Sequence, residues 1–375
     1  MPTISTNRAA FEGDVVELLT DLPKYNLKQG QRGVVIAGFD EPSEAYDLEM
    51  EDESGSFVSL AYSLKPDQFT NVSRDAFLRA LTAVEEVDLL TAEEELKKAT
   101  DLRPDYIGGF VASVLNSLNQ QNVESTGLEE SASFVIPLLR MAVRVDPTYE
   151  IARINLAVAF LNFGVAQARK GNHRQALELF YSALAIKTDS ETESLIKTNI
   201  VMALTVLARE FYRADQVEEA FASIRAAFLV IQDEKTRRNF GIAYGNSGLL
   251  YMKTGRFDLA IQMFERAEDT GVVLPDYVND YGICLVFTGR IREAVRTFER
   301  VLEMDPRNEI APINLAKLKH IQKISSNQLS AEELKAVANE MSVPANDVVD
   351  FDGRMPEALG WRAPAVSANE FASVA

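Results

Sequence analysis

The stretch 241–267, GIAYGNSGLLYMKTGRFDLAIQMFERA, decides the fold of most of this chain, because its pattern returns in 275–301, PDYVNDYGICLVFTGRIREAVRTFERV. Both stretches place a small residue, a turn glycine, an alanine and a phenylalanine at the same spacing. Small residues on successive apolar segments allow two helices to approach closely. The spacing therefore predicts a helix–turn–helix unit that repeats along the chain. The paired positions are Gly248 and Gly282, Gly255 and Gly289, Ala260 and Ala294, and Phe264 and Phe298.

Two earlier copies extend this pattern towards the N-terminus. The four copies begin at positions 157, 201, 241 and 275, so the linkers after the first two copies are longer than the one after the third. Gly164 and Ala208 take the first small position in the two earlier copies. We also expect a degenerate earlier pair of helices at 104–118 and 131–145. A helix at 309–324 is expected to cover the last apolar face, since a terminal repeat must hide it.

These positions resemble the tetratricopeptide repeat, a helix–turn–helix unit of about 34 residues. The resemblance implies a mainly α fold, with a right-handed helical solenoid over 104–324. It also implies a concave groove lined by the first helix of each repeat, in which family members hold peptides. Transferred residue by residue, the groove positions that matter for binding are Asn162, Arg169, Arg209, Tyr212, Arg213, Asn246, Lys253, Asn279, Asn314 and Lys317.

Asparagine recurs at one groove position in Asn162, Asn246 and Asn314, while Val206 and Asp280 interrupt the series. An asparagine side chain offers a donor and an acceptor, so spaced asparagines can hold an extended backbone whatever its sequence. The arginines and lysines of the same set would add positive charge, which favours carboxylates. We therefore expect an extended, acidic peptide in the groove. In the alternative, the asparagines hydrogen-bond between helices, and partners bind the convex face or the loops.

Residues 11–69 have a different texture, with short apolar runs separated by turn residues. Alternation places Tyr46, Leu48 and Met50 on one face, which is typical of a half-buried strand. The predicted strands are 15–19, 33–38, 45–50 and 57–61.

This N-terminal region resembles the small SH3-like and KOW-like barrels, through Gly13-Asp14-Val15-Val16, the run from Leu27 to Val35, and Leu64-Lys65-Pro66. The resemblance implies a small all-β barrel over 1–70. It also implies that Gly30 and Gly33 set the turn before the second strand, where glycine adopts conformations closed to other residues. Some barrels of this kind bind RNA or ribosomal partners.

Capping residues predict where helices begin outside the repeats. Ser73 is the expected cap of the first helix after the barrel, in a helical linker over 71–103. Ser330 and Glu333 form a capping box for a short helix that ends near Met341. The remainder of 325–375 is expected to be a flexible, acidic tail that can occupy the basic groove.

Charge is distributed unevenly along the 375 residues. The formal net charge of -18 is made of -15 in 1–150, +2 in 151–323 and -5 in 324–375. A net-negative surface cannot release counterions from a polyphosphate, so nucleic acid is not the expected partner of the barrel. The N-terminal residues lack a signal-peptide core, and no apolar stretch reaches membrane-spanning length. We expect a cytoplasmic protein.

Few residues could support catalysis or metal binding. Cys284 is the single cysteine, and His173 and His320 are the two histidines, which excludes an internal disulfide and the usual zinc sets. We expect Cys284 to be a small buried residue and His173 to be a solvated turn residue. The sequence predicts no enzyme activity, no cofactor and no metal site.

The leading hypothesis is a protein-binding adaptor or assembly factor that holds a protein or peptide partner in the groove. The alternative is a regulatory or accessory subunit of an enzyme that docks through the barrel. A ribosome- or RNA-associated factor is a weaker third hypothesis. No membrane partner is expected, and a homo-oligomer stays open.

Overall fold

The computed structural model describes residues 8–41, 43–52, 54–120, 128–324, 330–343, 349 and 351. The chain forms two compact units. Of the described residues, the first unit comprises those up to Ala166 together with Tyr181–Glu193, and the second comprises Gln167–Phe180 and those from Ser194 onwards.

The first unit begins with an antiparallel sheet whose strand order is β4-β3-β2-β1-β5. The predicted alternation is confirmed, because Tyr46, Leu48 and Met50 are all fully buried in its core. An all-β N-terminal domain with a small, barrel-like sheet is therefore present. The strands are β1 Val15–Leu18, β2 Arg32–Phe39, β3 Ala45–Glu51, β4 Phe57–Leu64 and β5 Phe69–Asn71.

The two glycines before and within β2 have different roles. Gly30 has a φ of +84°, so it makes the turn as expected. Gly33 lies inside β2, where a Cβ would come within 2.5 Å of the Met50 sulfur. The prediction that Gly33 sets the turn is therefore wrong, since close packing against β3 is what requires a glycine there.

Helices follow the sheet in the first unit. They are α1 Val72–Glu85, α2 Leu89–Leu102, α3 Tyr106–Gln120, α4 Leu128–Val145 and α5 Glu150–Arg169, whose last residues belong to the second unit. Ser73 was expected to cap α1, but Asn71 does so, by accepting from the Arg74 amide at 3.0 Å. The Ser73 hydroxyl accepts instead from the Val15 amide at 3.1 Å, which fixes α1 on β1.

A buried polar cluster centred on Asp14 joins the sheet to these helices. The Asp14 carboxylate accepts from the Arg103 guanidinium at 2.6 Å, from the Tyr106 hydroxyl at 3.0 Å and from the side-chain Nδ2 of Asn71 at 2.7 Å. Asp14 is fully buried and Arg103 is 8% exposed. A buried carboxylate is tolerated only when it is paired and hydrogen-bonded, as this one is.

The second unit is built from paired helices. Its elements are part of α6 His173–Leu184, most of α7 Ser190–Arg213, then α8 Val217–Val230, α9 Glu234–Lys253, α10 Phe257–Asp269, α11 Pro275–Phe287, α12 Ile291–Met304, α13 Ile310–Ile324 and α14 Ala331–Asn339. Ser330 and Glu333 form the predicted capping box of α14.

The repeated glycines explain why the pairs recur. A Cβ on Gly248 would lie 2.8 Å from the Phe264 ring, and a Cβ on Gly282 would lie 2.8 Å from the Phe298 ring. The same contact thus appears in two successive repeats, in which each phenylalanine ring packs against the glycine of the preceding helix. Small residues therefore permit the close helix approach that the sequence predicted.

One helix within the described ranges, α5, is long and apolar enough to cross a membrane by length and composition. Within the protein, 72% of its apolar window is buried, as expected of a core helix.

Candidate functional site

Alternate helices of the second unit, α7, α9, α11 and α13, carry most of the predicted groove residues. Three residues from the C-terminal part of the chain lie against these helices: Ser342, Val349 and Phe351. We call these three residues the tail anchors. Each of them is hydrogen-bonded to these helices through its backbone.

Asn246, on α9, clamps the backbone of Val349. Its Nδ2 donates to the Val349 carbonyl at 2.9 Å, and its Oδ1 accepts from the Val349 amide at 2.9 Å. The Tyr277 hydroxyl also donates to this Oδ1, at 2.7 Å. The Tyr277 hydroxyl and the Val349 N–H thus both donate to the Asn246 Oδ1, and together they favour the orientation in which Nδ2 faces the Val349 carbonyl.

Asn314, on α13, makes the same clamp on Ser342. Its Nδ2 donates to the Ser342 carbonyl at 2.9 Å and its Oδ1 accepts from the Ser342 amide at 2.8 Å. The second hydrogen of the NH₂ group is donated to the Asn279 Oδ1, at 3.1 Å. Asn279 was expected in the groove lining, and it supports the clamp from behind.

Phe351 occupies the α7 end of the groove. Its ring centroid lies 5.7 Å from that of Tyr212, and Phe351 is 5% exposed. The Arg209 guanidinium donates to the Phe351 carbonyl at 2.7 Å. Tyr212 is itself fixed, because its hydroxyl donates to the Ala243 carbonyl at 2.9 Å. This end of the groove therefore combines an aromatic wall with a donor for the backbone.

Apolar contacts accompany the hydrogen bonds. Ala338, Met341 and Phe351 are buried in the core of the second unit, and Val337 and Val349 pack against it. At the α13 end, the Lys317 ammonium donates to the Glu340 carbonyl. Arg209 and Lys317 therefore both bind backbone carbonyls of this segment.

Asp280, on α11, lies at the ladder position between the two clamps, one repeat after Asn246 and one repeat before Asn314. It is 2% exposed, and burial, reinforced by the nearby Asp276, raises the pKa of Asp280 to about 8. Within the described ranges, the Asp280 Oδ1 and the Asn279 Nδ2 are buried without a hydrogen-bond partner. The carboxyl is therefore held largely in its protonated form at neutral pH, in which it resembles asparagine.

The other predicted groove residues lie on α5 and at the C-terminal ends of α7 and α9. Arg213, Lys253 and Arg169 are exposed at the ends of α7, α9 and α5. Asn162 is buried on α5, in the part of that helix that belongs to the first unit. The structure thus brings Arg209, Tyr212, Asn246, Asn314 and Lys317 together around one segment, with Asn279 behind them.

The predictions for Cys284 and His173 have different outcomes. Cys284 is fully buried, as expected, and burial raises the pKa of its thiol. His173 was expected to be solvated, but it is buried at 9% exposure, with its Nε2 3.7 Å from a Glu210 carboxylate oxygen. The N-terminal turn of α6 packs this ring against α7, which the sequence did not indicate. No metal-binding group of three or more His, Cys, Asp or Glu residues occurs within the described part of the chain.

Two features of the site are absent from the sequence-based prediction. The first is Tyr277, whose hydroxyl donates to Asn246. The second is Asp280, which interrupts the asparagine series in the sequence but takes a protonated, amide-like form because it is buried. The equal spacing of Asn246, Asp280 and Asn314 in the sequence is the signal that could have identified the second of these.

The fold and site define a repeat protein of paired helices, with a small all-β domain at its N-terminus. A family model described as tetratricopeptide repeat matches residues 242–269 and 276–308. Tetratricopeptide repeats are therefore present in the second unit. A model described as a domain of unknown function, DUF4926, matches residues 12–71, which include all five strands.

Several solved structures are similar to this chain. MamA matches with 16% identity and a TM-score of 0.29, over 50% of this chain and 94% of that one. The TPR2AB domain of yeast Sti1, in a complex with pHSP90, matches with 11% identity and a TM-score of 0.24, over 72% and 98%. YrrB, described as having an unusual peptide-binding site, matches with 18% identity and a TM-score of 0.26, over 62% and 100%. A search of curated protein sequences finds no match.

Proposed function

We propose that this chain is a protein-binding adaptor without catalysis of its own, and that the groove of its second unit holds an extended segment of a partner. One observation carries the proposal: Asn246 and Asn314 each pair with both backbone groups of a single residue. Such pairing recognises a main chain in extended form and makes few demands on its sequence. In this proposal the barrel of residues 1–70 remains available for a second partner.

We further propose that the partner segment is acidic. Arg213 and Lys253 are exposed on the same helices that carry Tyr212 and Asn246, so both cations are available to carboxylates. The segment 340–353 of this chain, to which the tail anchors belong, contains four acidic residues and no basic one. Opposite charges increase the rate of encounter and help to select the partner.

The experiment is affinity capture on the full-length protein, with the captured proteins quantified by mass spectrometry. Arg213→Glu combined with Lys253→Glu reverses two exposed charges, and we expect capture of the main partner to fall about ten-fold. The matched control is Arg225→Glu combined with Lys235→Glu, which makes the same charge change at two other exposed positions of the second unit. Equal capture by both double variants would remove the acidic-groove proposal.

A specific observation supports the second candidate, an accessory subunit that docks through the barrel. The edge strand β4 exposes Phe57 at 59%, Val58 at 44% and Tyr62 at 51%. Apolar side chains on an edge strand are suited to cover by a partner. In the same capture experiment, Phe57→Ser with Tyr62→Ser should release a separate set of proteins that includes an enzyme. Retention of every captured protein by this variant would eliminate the candidate.

A further inference from the structure

We propose that the preferred ligand of the groove is an extended segment with an aliphatic–acidic–aromatic sequence, and that the chain's own tail anchors occupy the groove as an intramolecular copy of that ligand. This inference rests on the proposed function, because it names the kind of segment that the groove receives. It adds a regulatory consequence, since a partner must displace the chain's own residues before it can bind.

The groove is built to receive a backbone. Tyr277 donates to Asn246, and Asn279 accepts from Asn314, so neighbours within the helical array orient both clamping amides. Asn246 and Asn314 are both fully buried. When the segment leaves, the Asn246 Nδ2 and the Asn314 Oδ1 lose their backbone partners, whereas the bonds to Tyr277 and Asn279 remain. Both amides therefore stay oriented to receive another backbone.

The spacing of the two clamps matches the spacing of the residues they hold. Asn246 and Asn314 lie on α9 and α13, with α11 between them, and Ser342 and Val349 are seven residues apart. Neighbouring packed helices lie about 8–10 Å apart, so the clamps span two such steps, or roughly 20 Å. Seven residues reach about 23 Å when extended, which is enough to engage both clamps at once.

The sequence preference comes from Val349 and Phe351. Val349 packs on the core of the second unit, and two residues later the Phe351 ring is buried beside Tyr212. Asp350 stands between them in the sequence. An aromatic side chain contributes a large apolar area at little entropic cost, so it is the expected anchor of an extended ligand. Arg209 then fixes the direction of the segment through the Phe351 carbonyl.

Because the tail anchors belong to the same chain as the groove, they compete at a high effective concentration. A tethered ligand reaches about the millimolar range with a short connection. A partner with the same chemistry therefore binds the wild-type protein more weakly than a protein whose own anchors have been weakened. This makes the tail an autoinhibitory ligand.

The test is fluorescence anisotropy with the full-length protein and a labelled peptide that has the sequence of residues 338–354. Phe351→Ala removes the aromatic anchor, and we expect it to bind the probe at least about ten-fold more tightly than the wild type does. Ser342→Pro removes the backbone N–H that donates to the Asn314 Oδ1, so it should also bind the probe more tightly than the wild type does. Phe371→Ala, a matched change outside the anchors, should behave like the wild type. Far-UV circular dichroism of each variant shows whether the helices are retained.

A second set of variants places the probe in the groove. Adding Asn246→Ala to Phe351→Ala should weaken probe binding about ten-fold, because two hydrogen bonds are lost. A probe with alanine in place of its phenylalanine should bind more weakly to every variant. Equal affinity of the wild type, Phe351→Ala and Ser342→Pro for the probe would overturn the intramolecular ligand. Probe binding that is indifferent to Asn246→Ala would overturn the groove as its site.

Light scattering tests whether the segment in the groove comes from a second copy of the chain. If the wild type is a dimer that Phe351→Ala converts to a monomer, the anchors are exchanged between copies and the intramolecular proposal fails. None of these results depends on Arg213 or Lys253, so partner capture by the charge-reversal variants tests the proposed function independently.

Discussion

Replacing Asp280 by asparagine should stabilise the second unit and flatten its dependence on pH. The Asp280 carboxyl is 2% exposed, and its burial, together with the negative charge of Asp276, raises its pKa from 3.8 to about 8. Between these two pKa values the folded state keeps a proton on Asp280 that the unfolded state has released. The free energy of unfolding is therefore highest below the pKa of the unfolded state, and it falls as the pH rises towards the pKa of the folded state.

The size of the effect follows from the pKa difference. One pKa unit corresponds to about 1.4 kcal/mol, so a rise from about pH 5 to about pH 8 should cost the wild type about 4 kcal/mol at this site. Asparagine has nearly the same shape and no charge to bury, and the same residue type is accepted at the equivalent positions of Asn246 and Asn314. The free energy of unfolding of Asp280→Asn should therefore exceed that of the wild type by a margin that widens with pH.

The assay is urea-induced unfolding, followed by far-UV circular dichroism, of both proteins at several pH values between about 5 and about 8. Comparison of the two proteins removes the pH dependence of the many other carboxylates. Asp276→Asn is the control, because it removes a neighbouring charge and leaves the buried carboxyl in place, so most of the pH slope should persist. A difference between wild type and Asp280→Asn that stays constant within about 1 kcal/mol over this range would refute the reasoning.

Two further predictions concern stability. Gly282→Ala should destabilise the second unit by about 1–3 kcal/mol, because its Cβ would lie 2.8 Å from the Phe298 ring. The control is Gly171→Ala, whose Cβ would have nothing within 4 Å, so that it should cost only the strain of a φ of +84°. Equal shifts of the urea midpoint in the two variants would contradict this prediction. Arg103→Met should destabilise the first unit by about 3–5 kcal/mol, because it leaves the buried Asp14 carboxylate without its cation. The pair Arg103→Met and Asp14→Asn should restore part of this loss, and a double variant as unstable as the sum of the two single variants would contradict the pairing.

The sequence predicts that a helix forms more reliably than it predicts which residue caps that helix. The capping box of Ser330 and Glu333 was readable because both members lie within one turn. Ser73 was assigned the same role, yet Asn71 caps the helix because the Ser73 hydroxyl is used by Val15, which is distant in the sequence. His173 shows the same limit, since the partner that surrounds a turn residue is not visible in its own turn.

The sequence by itself determined the repeat. Gly248 and Gly282 recur with their phenylalanines at equivalent positions of successive repeats, and helix packing follows from that spacing because only small residues allow the close approach. It also determined which asparagines share a face.

Only the tertiary structure decided what those asparagines do. Asn246 pairs both with Tyr277 on another helix and with the backbone of Val349, and both partners are distant from it in sequence. In the same way, burial and not residue type gives Asp280 its protonated form. Orientation and desolvation arise from contacts between separate segments, so local periodicity carries no record of them.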